Sequence, residues 1–164
     1  MSNPRYLEQW NRVMRWHSRL QNFNSFNHSV NSEEPLDYTY AFFLNCFHLK
    51  NWLIKDYPER KSEIEALYDK KAGSIYLKIC ADIANANKHL KLNPMTARSN
   101  DSRISILTIS VTHNFHIKNS NTPTPPEPGR RWNFWISFEG KDYDAYKVAD
   151  GCIKKLENYL AKLD

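Results

Sequence analysis

Two helical segments of the sequence each carry a stripe of polar side chains on an otherwise apolar helix, and several of these residues are of types used in acid–base chemistry. At 3.6 residues per turn, the stripes contain Asn45, His48, Trp52 and Asp56 on one segment and Lys78, Asp82, Asn85 and His89 on the other. An unsatisfied polar group costs about 1–3 kcal/mol to bury. The stripes therefore indicate either helices joined by hydrogen bonds or a functional site.

If the two stripes face each other, His48 and His89 share a polar pocket with Asp82 and the asparagines. A histidine with a pKa of about 6.5 moves protons at neutral pH, and a neighbouring aspartate fixes its tautomer. This chemistry suits RNA cleavage, in which the 2′-hydroxyl is the nucleophile and no metal is required. We therefore expect His89 as the acid–base group, Asn85, Asp82 and His48 as orienting groups, and neither a metal nor a cofactor.

Substrate binding is expected from basic and amide side chains near this pocket. Lys78 and Asn45 belong to the two stripes, whereas Lys88 lies about 100° from its stripe and suits the rim of the pocket or a partner subunit. On the first helix, Arg12 and Arg15 lie with Arg5 and Arg19 on the side opposite the apolar residues. The chain carries 23 Lys and Arg against 18 Asp and Glu, a net charge of +5. RNA or another nucleic acid is a compatible partner, although a basic stripe is also a common solvated surface.

The segment Ala84–His89, with the sequence ANANKH, resembles the R-N-x-x-x-H element of the HEPN superfamily, the higher eukaryotes and prokaryotes nucleotide-binding domains. Asn85 and His89 match the asparagine and histidine of that element, and Ala84 stands in place of its arginine. The resemblance implies a helical bundle, often a metal-independent ribonuclease of a toxin–antitoxin or phage-defence system. Without the arginine, phosphate binding would fall to Lys78, Lys88 or the first helix.

The same resemblance implies a homodimer in which the two motifs meet, and a cognate antitoxin or defence-system protein as a partner. The helices at 41–53 and 79–90 also resemble segments of uncharacterised bacterial proteins, from which no activity follows. The start of the chain lacks a basic, apolar leader pattern, and its longest apolar run, near Ala41–Leu44, is far too short for a membrane span. We expect a cytoplasmic protein without membrane contact.

Two other functions remain open. In the first, the protein is a non-catalytic binding or regulatory module, and the stripes only fix how its helices pack. In the second, His48, Asp82 and His89 hold the metal of a hydrolase, although their spacing matches no metal-binding signature.

The three cysteines, Cys46, Cys80 and Cys152, are far apart in the sequence and lie in apolar helical stretches, which is typical of buried free thiols in a reducing compartment. A zinc site using Cys46 and His48 is disfavoured, because side chains two residues apart on a helix diverge by about 200°.

Hydrophobic periodicity places these residues on five helices and two strands. Helices are predicted at about 3–20, 37–57, 58–73, 74–90 and 144–163. Alternating patterns at 103–117 and 132–140 predict two antiparallel strands, and the proline-rich stretch between them predicts an exposed connection. Residues 22–35, rich in Asn and Ser, are predicted to link the first two helices.

The 164 residues suit one domain with a single core. The predicted architecture is an α+β fold, mainly a helical bundle at 3–93, with a two-stranded β-hairpin at 103–140 inserted before the C-terminal helix at 144–163.

Overall fold

The computed structural model describes residues 4–24, 33–89, 105–112 and 130–163. The chain forms an α+β fold dominated by five helices, as the sequence predicts. The elements are α1 (Tyr6–Asn24), α2 (Glu33–Asp56), a 3₁₀ turn (Pro58–Arg60) leading into α3 (Lys61–Ala66), α4 (Ile75–His89), β1 (Ser105–Thr112), β2 (Arg130–Phe138), β3 (Lys141–Asp144) and α5 (Ala145–Leu160).

Helix α2 is the centre of the bundle and packs against α1, α3, α4 and α5. The side chains of Phe42, Phe43, Cys46, Leu49 and Leu53 on this helix are fully buried. The helix ends at Asp56 because Pro58 disfavours a helical conformation at the preceding residue, and Tyr57 takes φ −131° and ψ 68°. The predicted helix at 37–57 is therefore correct in its end, whereas its start lies four residues earlier, at Glu33.

The helix predicted at 58–73 is much shorter in the structure, since α3 ends at Ala66. The carboxylate of Asp69 accepts hydrogen bonds from the backbone N–H groups of Lys71 at 2.8 Å and Ala72 at 2.9 Å. This local bonding competes with helical hydrogen bonds and folds the chain into turns. The prediction that the helix continues from 66 to 73 is wrong, because the apolar pattern does not reveal this competition.

The sheet is antiparallel, in the order β1-β2-β3. The register of β1 and β2 pairs Ser105 with Ser137 and Thr112 with Arg130, as the predicted hairpin requires. Strand β3 is an addition that the sequence does not predict. Both residues of the tight turn that precedes it, Glu139 and Gly140, have positive φ values of 50° and 71°, typical of a turn that closes a hairpin. The predicted residues 113–117 of the first strand and the proline-rich connection lie outside the described residues.

Helix α5 follows β3 directly and covers the sheet and the bundle. Its N-terminus is capped by Asp144, whose carboxylate accepts from the backbone N–H of Lys147 at 2.9 Å. Its buried face includes Ala149, Cys152, Ile153 and Leu156, as predicted from their spacing. None of the helices in the described parts of the chain is long and apolar enough to cross a bilayer.

Candidate functional sites on the helical bundle

The polar stripe of α2 faces α1. The side-chain amide of Gln9 on α1 donates to the backbone carbonyl of Asn45 at 2.9 Å and to its Oδ1 at 3.2 Å. Asp56 accepts a hydrogen bond from the backbone N–H of Tyr6 at 2.7 Å, which satisfies one free N–H in the first turn of α1. The indole of Trp52 lies beneath the guanidinium of Arg12. Three of the four stripe residues are therefore used in the contact between the first two helices.

Helix α4 packs against a different side of α2. The thiol of Cys80 on α4 donates to the backbone carbonyl of Phe43 at 3.3 Å, and its sulfur lies close to that of Cys46. His48 is exposed and lies about 160° around α2 from Cys46, so it points away from α4. The two polar stripes therefore do not face each other, and the structure does not bring His48 to Asp82.

The residues of the α4 stripe differ widely in exposure. Asp82 is fully buried, whereas Lys78 and Asn85 are half-buried. The side chains of Lys88 and His89 lie outside the described residues, as do those of His113 and His116. Of the predicted acid–base group on α4, the structure therefore describes the buried carboxylate of Asp82 and the half-buried amide of Asn85.

The basic stripe of α1 forms a surface with aromatic side chains from α1 and α2. The guanidinium of Arg12 lies 5.7 Å from the centre of the Trp52 ring. That of Arg19 lies 4.4 Å from the ring of Trp16 and 5.6 Å from the ring of Tyr38. We call this surface the Arg–aromatic face and define it by Arg5, Arg12, Arg15, Arg19, Trp16, Tyr38 and Trp52.

Most charges of the Arg–aromatic face have no acidic partner among the described side chains. Arg12 forms an ion pair with Glu8, one turn earlier on α1. Among the side chains that the structure describes, no acidic group lies within ion-pair distance of Arg5, Arg15 or Arg19. All three are exposed. The face therefore presents positive charge to solvent beside half-buried aromatic rings.

A second cluster lies in the core, where the three cysteines meet. Cys46, Cys80 and Cys152 come from α2, α4 and α5, and their three sulfur atoms lie within 4.8 Å of one another. All three side chains are fully buried and unpaired by disulfides, which confirms the expectation of buried free thiols. Their convergence on one point is not predicted from the sequence.

Each sulfur of this cysteine cluster has polar neighbours. Cys80 donates to the carbonyl of Phe43, and Cys152 donates to the carbonyl of Tyr76 at 3.3 Å. The neighbouring side chains of Cys152 and Cys80 lower the pKa of Cys46 to about 5, with a smaller contribution from His17. Burial raises the pKa values of Cys80 and Cys152 well above that of a free thiol. The three thiols therefore influence one another's ionisation.

His17 and Asp150 form a pair beside this cluster that no sequence motif indicates. His17 Nε2 lies 2.9 Å from Asp150 Oδ1, and the imidazole stacks on the ring of Tyr146 with 5.7 Å between centres. The imidazole side chain is 12% exposed. Since His17 and Asp150 are 133 residues apart, only the contact between α1 and α5 brings them together.

Comparisons with known proteins add no assignment to this geometry. The chain matches no protein-family model, no curated protein and no solved structure.

Proposed function

We propose that this protein binds single-stranded RNA through the Arg–aromatic face. The observation that carries the proposal is the placement of Arg12 and Arg19, seven residues apart on α1, each over an aromatic ring at the same surface. Proteins that bind single strands combine cationic side chains for the phosphates with aromatic rings on which bases stack. The Arg–aromatic face contains both components.

Spacing along α1 supports this assignment. Residues seven apart lie about 10 Å apart along a helix on nearly the same side, so Arg5, Arg12 and Arg19 form a row of three guanidinium groups, of which Arg12 is paired with Glu8. Arg15 extends the row sideways and is exposed. Such a row can follow several consecutive phosphates of an extended strand, whereas a compact anion would need charges that converge on one point.

Cleavage is not included in the proposal. Asp82 is buried in the core, and His48 points away from α4, so these two residues do not share the acid–base pocket that the sequence predicts. The contacts of Asn45, Trp52 and Asp56 with α1 favour the non-catalytic alternative, in which the stripes fix how the helices pack. A HEPN-like dimer remains a compatible assembly for a binding protein.

The test compares two double variants with the same change in charge. In the first, Arg15→Glu and Arg19→Glu reverse two charges of the Arg–aromatic face. In the second, Lys154→Glu and Lys155→Glu reverse two exposed charges on α5. Binding of a fluorescent single-stranded RNA is measured by anisotropy over a range of salt concentrations. Removing one cation from a phosphate lowers the magnitude of the salt slope by about 0.7.

We expect the α1 variant to lose RNA affinity by at least about tenfold and the magnitude of its salt slope to fall. The RNA affinity of the α5 variant should stay within about twofold of that of the parent. Equal losses of RNA affinity in both variants would show that binding depends on net charge and not on the Arg–aromatic face. Unchanged RNA binding in the α1 variant would overturn the proposal. Gel analysis of the same RNA in EDTA, with His89→Ala and His48→Ala as further variants, detects cleavage. Cleavage that His89→Ala abolishes would replace the binding proposal with the ribonuclease hypothesis.

A further inference from the structure

The three cysteines of the chain converge on one point of the core. The chain contains three cysteines in 164 residues, and all three sulfurs lie within 4.8 Å of one another. They come from three different helices, at positions 34 and 72 residues apart, so no local repeat places them together. Three thiols converging from distant parts of a chain are the donor set of a soft metal ion.

The spacing of the sulfurs fits one ion at their centre. Thiolate sulfur lies about 2.3 Å from zinc and at a similar distance from other small soft ions. Three sulfurs around such an ion in one plane would be about 4.0 Å apart, by simple geometry from that bond length. The observed limit of 4.8 Å therefore requires movements of less than about an ångström, which side-chain rotation supplies.

We propose that Cys46, Cys80 and Cys152 form a buried three-coordinate site for a soft, thiophilic cation, and that Cu(I) is the ion it takes. In the described parts of the chain, no histidine, aspartate or glutamate joins the three sulfurs as a fourth ligand. Structural zinc sites almost always have four protein ligands, whereas thiolate-rich donor sets also select Cu(I).

Charge balance at this site involves its neighbours. Each cysteine that binds as a thiolate releases one proton to solvent, so three thiolates and one Cu(I) carry a net charge of −2. A buried net charge is costly unless it is compensated by nearby positive charge or hydrogen bonds. The pair of His17 and Asp150, 2.9 Å apart, is the polar group beside the cluster on the α1 side.

The direct test is a metal titration of the reduced, metal-free full-length chain. Because all three sulfurs are buried, the protein is refolded from urea in the presence of the metal as well as titrated in the native state. Cu(I) is supplied under anaerobic conditions with a chromophoric Cu(I) chelator as competitor, and Zn(II) is titrated in parallel. We expect one Cu(I) per chain and X-ray absorption that fits three sulfur neighbours. At about 100 times the dissociation constant, the melting temperature should rise by at least about 5 °C.

Variants separate loss of the site from loss of stability. Cys80→Ala removes one sulfur and should lower Cu(I) affinity by at least about a hundredfold. Val148→Ala serves as the matched control, because Val148 is buried on α5 and its truncation weakens the core while keeping all three sulfurs. Circular dichroism verifies that both variants fold. The control should bind one Cu(I) with the affinity of the parent.

The proposal has two distinct ways to fail. If neither ion binds the native or refolded protein, or if Cys80→Ala binds Cu(I) as tightly as the parent, the cluster is a group of ordinary core thiols. If Zn(II) binds with four neighbours and Cu(I) does not, the three-coordinate assignment is overturned. Neither outcome depends on RNA binding, which involves a different surface.

Discussion

Gln9 on α1 and Asn45 on α2 are joined through two acceptors of one residue, since the Gln9 amide reaches both the backbone carbonyl and the side-chain oxygen of Asn45. Asn45 in turn donates to the carbonyl of Ala41 at 2.8 Å. Gln9 is only 2% exposed, so this arrangement is a polar contact inside an apolar interface. This contact explains why Asn45, whose side chain would suit a functional pocket, instead helps to position α1 against α2.

Replacing Gln9 should therefore destabilise the protein. In Gln9→Ala the oxygen of Asn45 is deprived of a buried donor, and we expect the free energy of unfolding to fall by about 1–3 kcal/mol. Gln21→Ala is the matched control on the same helix, because Gln21 is exposed and its replacement should change stability by less than about 0.5 kcal/mol. Urea denaturation measures both. Equal effects of the two changes would show that the contact contributes nothing.

Tyr68 predicts a dependence of stability on alkaline pH. Its hydroxyl donates to the carbonyl of Cys46 at 3.1 Å, and burial raises its pKa well above the ordinary value near 10. The folded state thus favours the neutral phenol. The neutral Tyr68 side chain contributes its full stabilisation below a pH of about 10, which is the pKa of tyrosine in the unfolded chain. This stabilisation is lost as the pH rises towards the higher pKa of Tyr68 in the folded state.

We expect Tyr68→Phe to lower stability at pH 7 by about 1 kcal/mol and to make the fall in stability above pH 10 shallower than in the parent. Ile64→Val, which weakens the core without removing a titratable group, should retain the parent's alkaline slope. Denaturant titrations between pH 7 and 11 provide the comparison. A slope unchanged by Tyr68→Phe would contradict the argument.

Gly151 allows α5 to approach α4 closely. A Cβ atom at this position would lie 2.4 to 2.6 Å from three ring carbons of Tyr76, well inside van der Waals contact. Alanine is favoured over glycine in a helix by about 1 kcal/mol, but the clash should outweigh this gain. We expect Gly151→Ala to destabilise the protein by a net ~1–3 kcal/mol, the usual cost of overpacking a core.

The double variant Gly151→Ala with Tyr76→Ala tests this origin. Truncating the ring removes the atoms that the new methyl group would meet, so the double variant should be more stable than the sum of the two single changes predicts. Thermal melting of the four proteins gives the coupling. Strict additivity would indicate that the close approach of the two helices is not the cause.

The fold class and most elements could be predicted because they depend on local patterns. The apolar spacing of α5 and the alternation of β2, with Phe134, Ile136 and Phe138 buried, are properties of a few neighbouring residues. The end of α3 and the extra strand β3 could not be predicted in this way. The end of α3 depends on hydrogen bonds to a polar side chain, and β3 depends on the geometry of the preceding turn. The side chain of Asp69 and the positive φ values at Glu139 and Gly140 decide these details.

The candidate sites were harder to predict than the fold. A helical wheel shows that Asn45, Trp52 and Asp56 share one side of α2, but it does not show which neighbouring helix covers that side. The same limit hides the cysteine cluster and the pair of His17 and Asp150, because both require contacts between helices far apart in the chain. The one sequence signal for the cluster is the position of each cysteine on the apolar face of its helix.

Since the cysteine cluster draws one sulfur from each of α2, α4 and α5, it exists only when all three helices are assembled. Modification by a maleimide should consequently be cooperative, with all three thiols becoming reactive together as the domain opens. The same residues would then serve as a built-in reporter of global unfolding, readable by mass spectrometry as a population carrying either no labels or three.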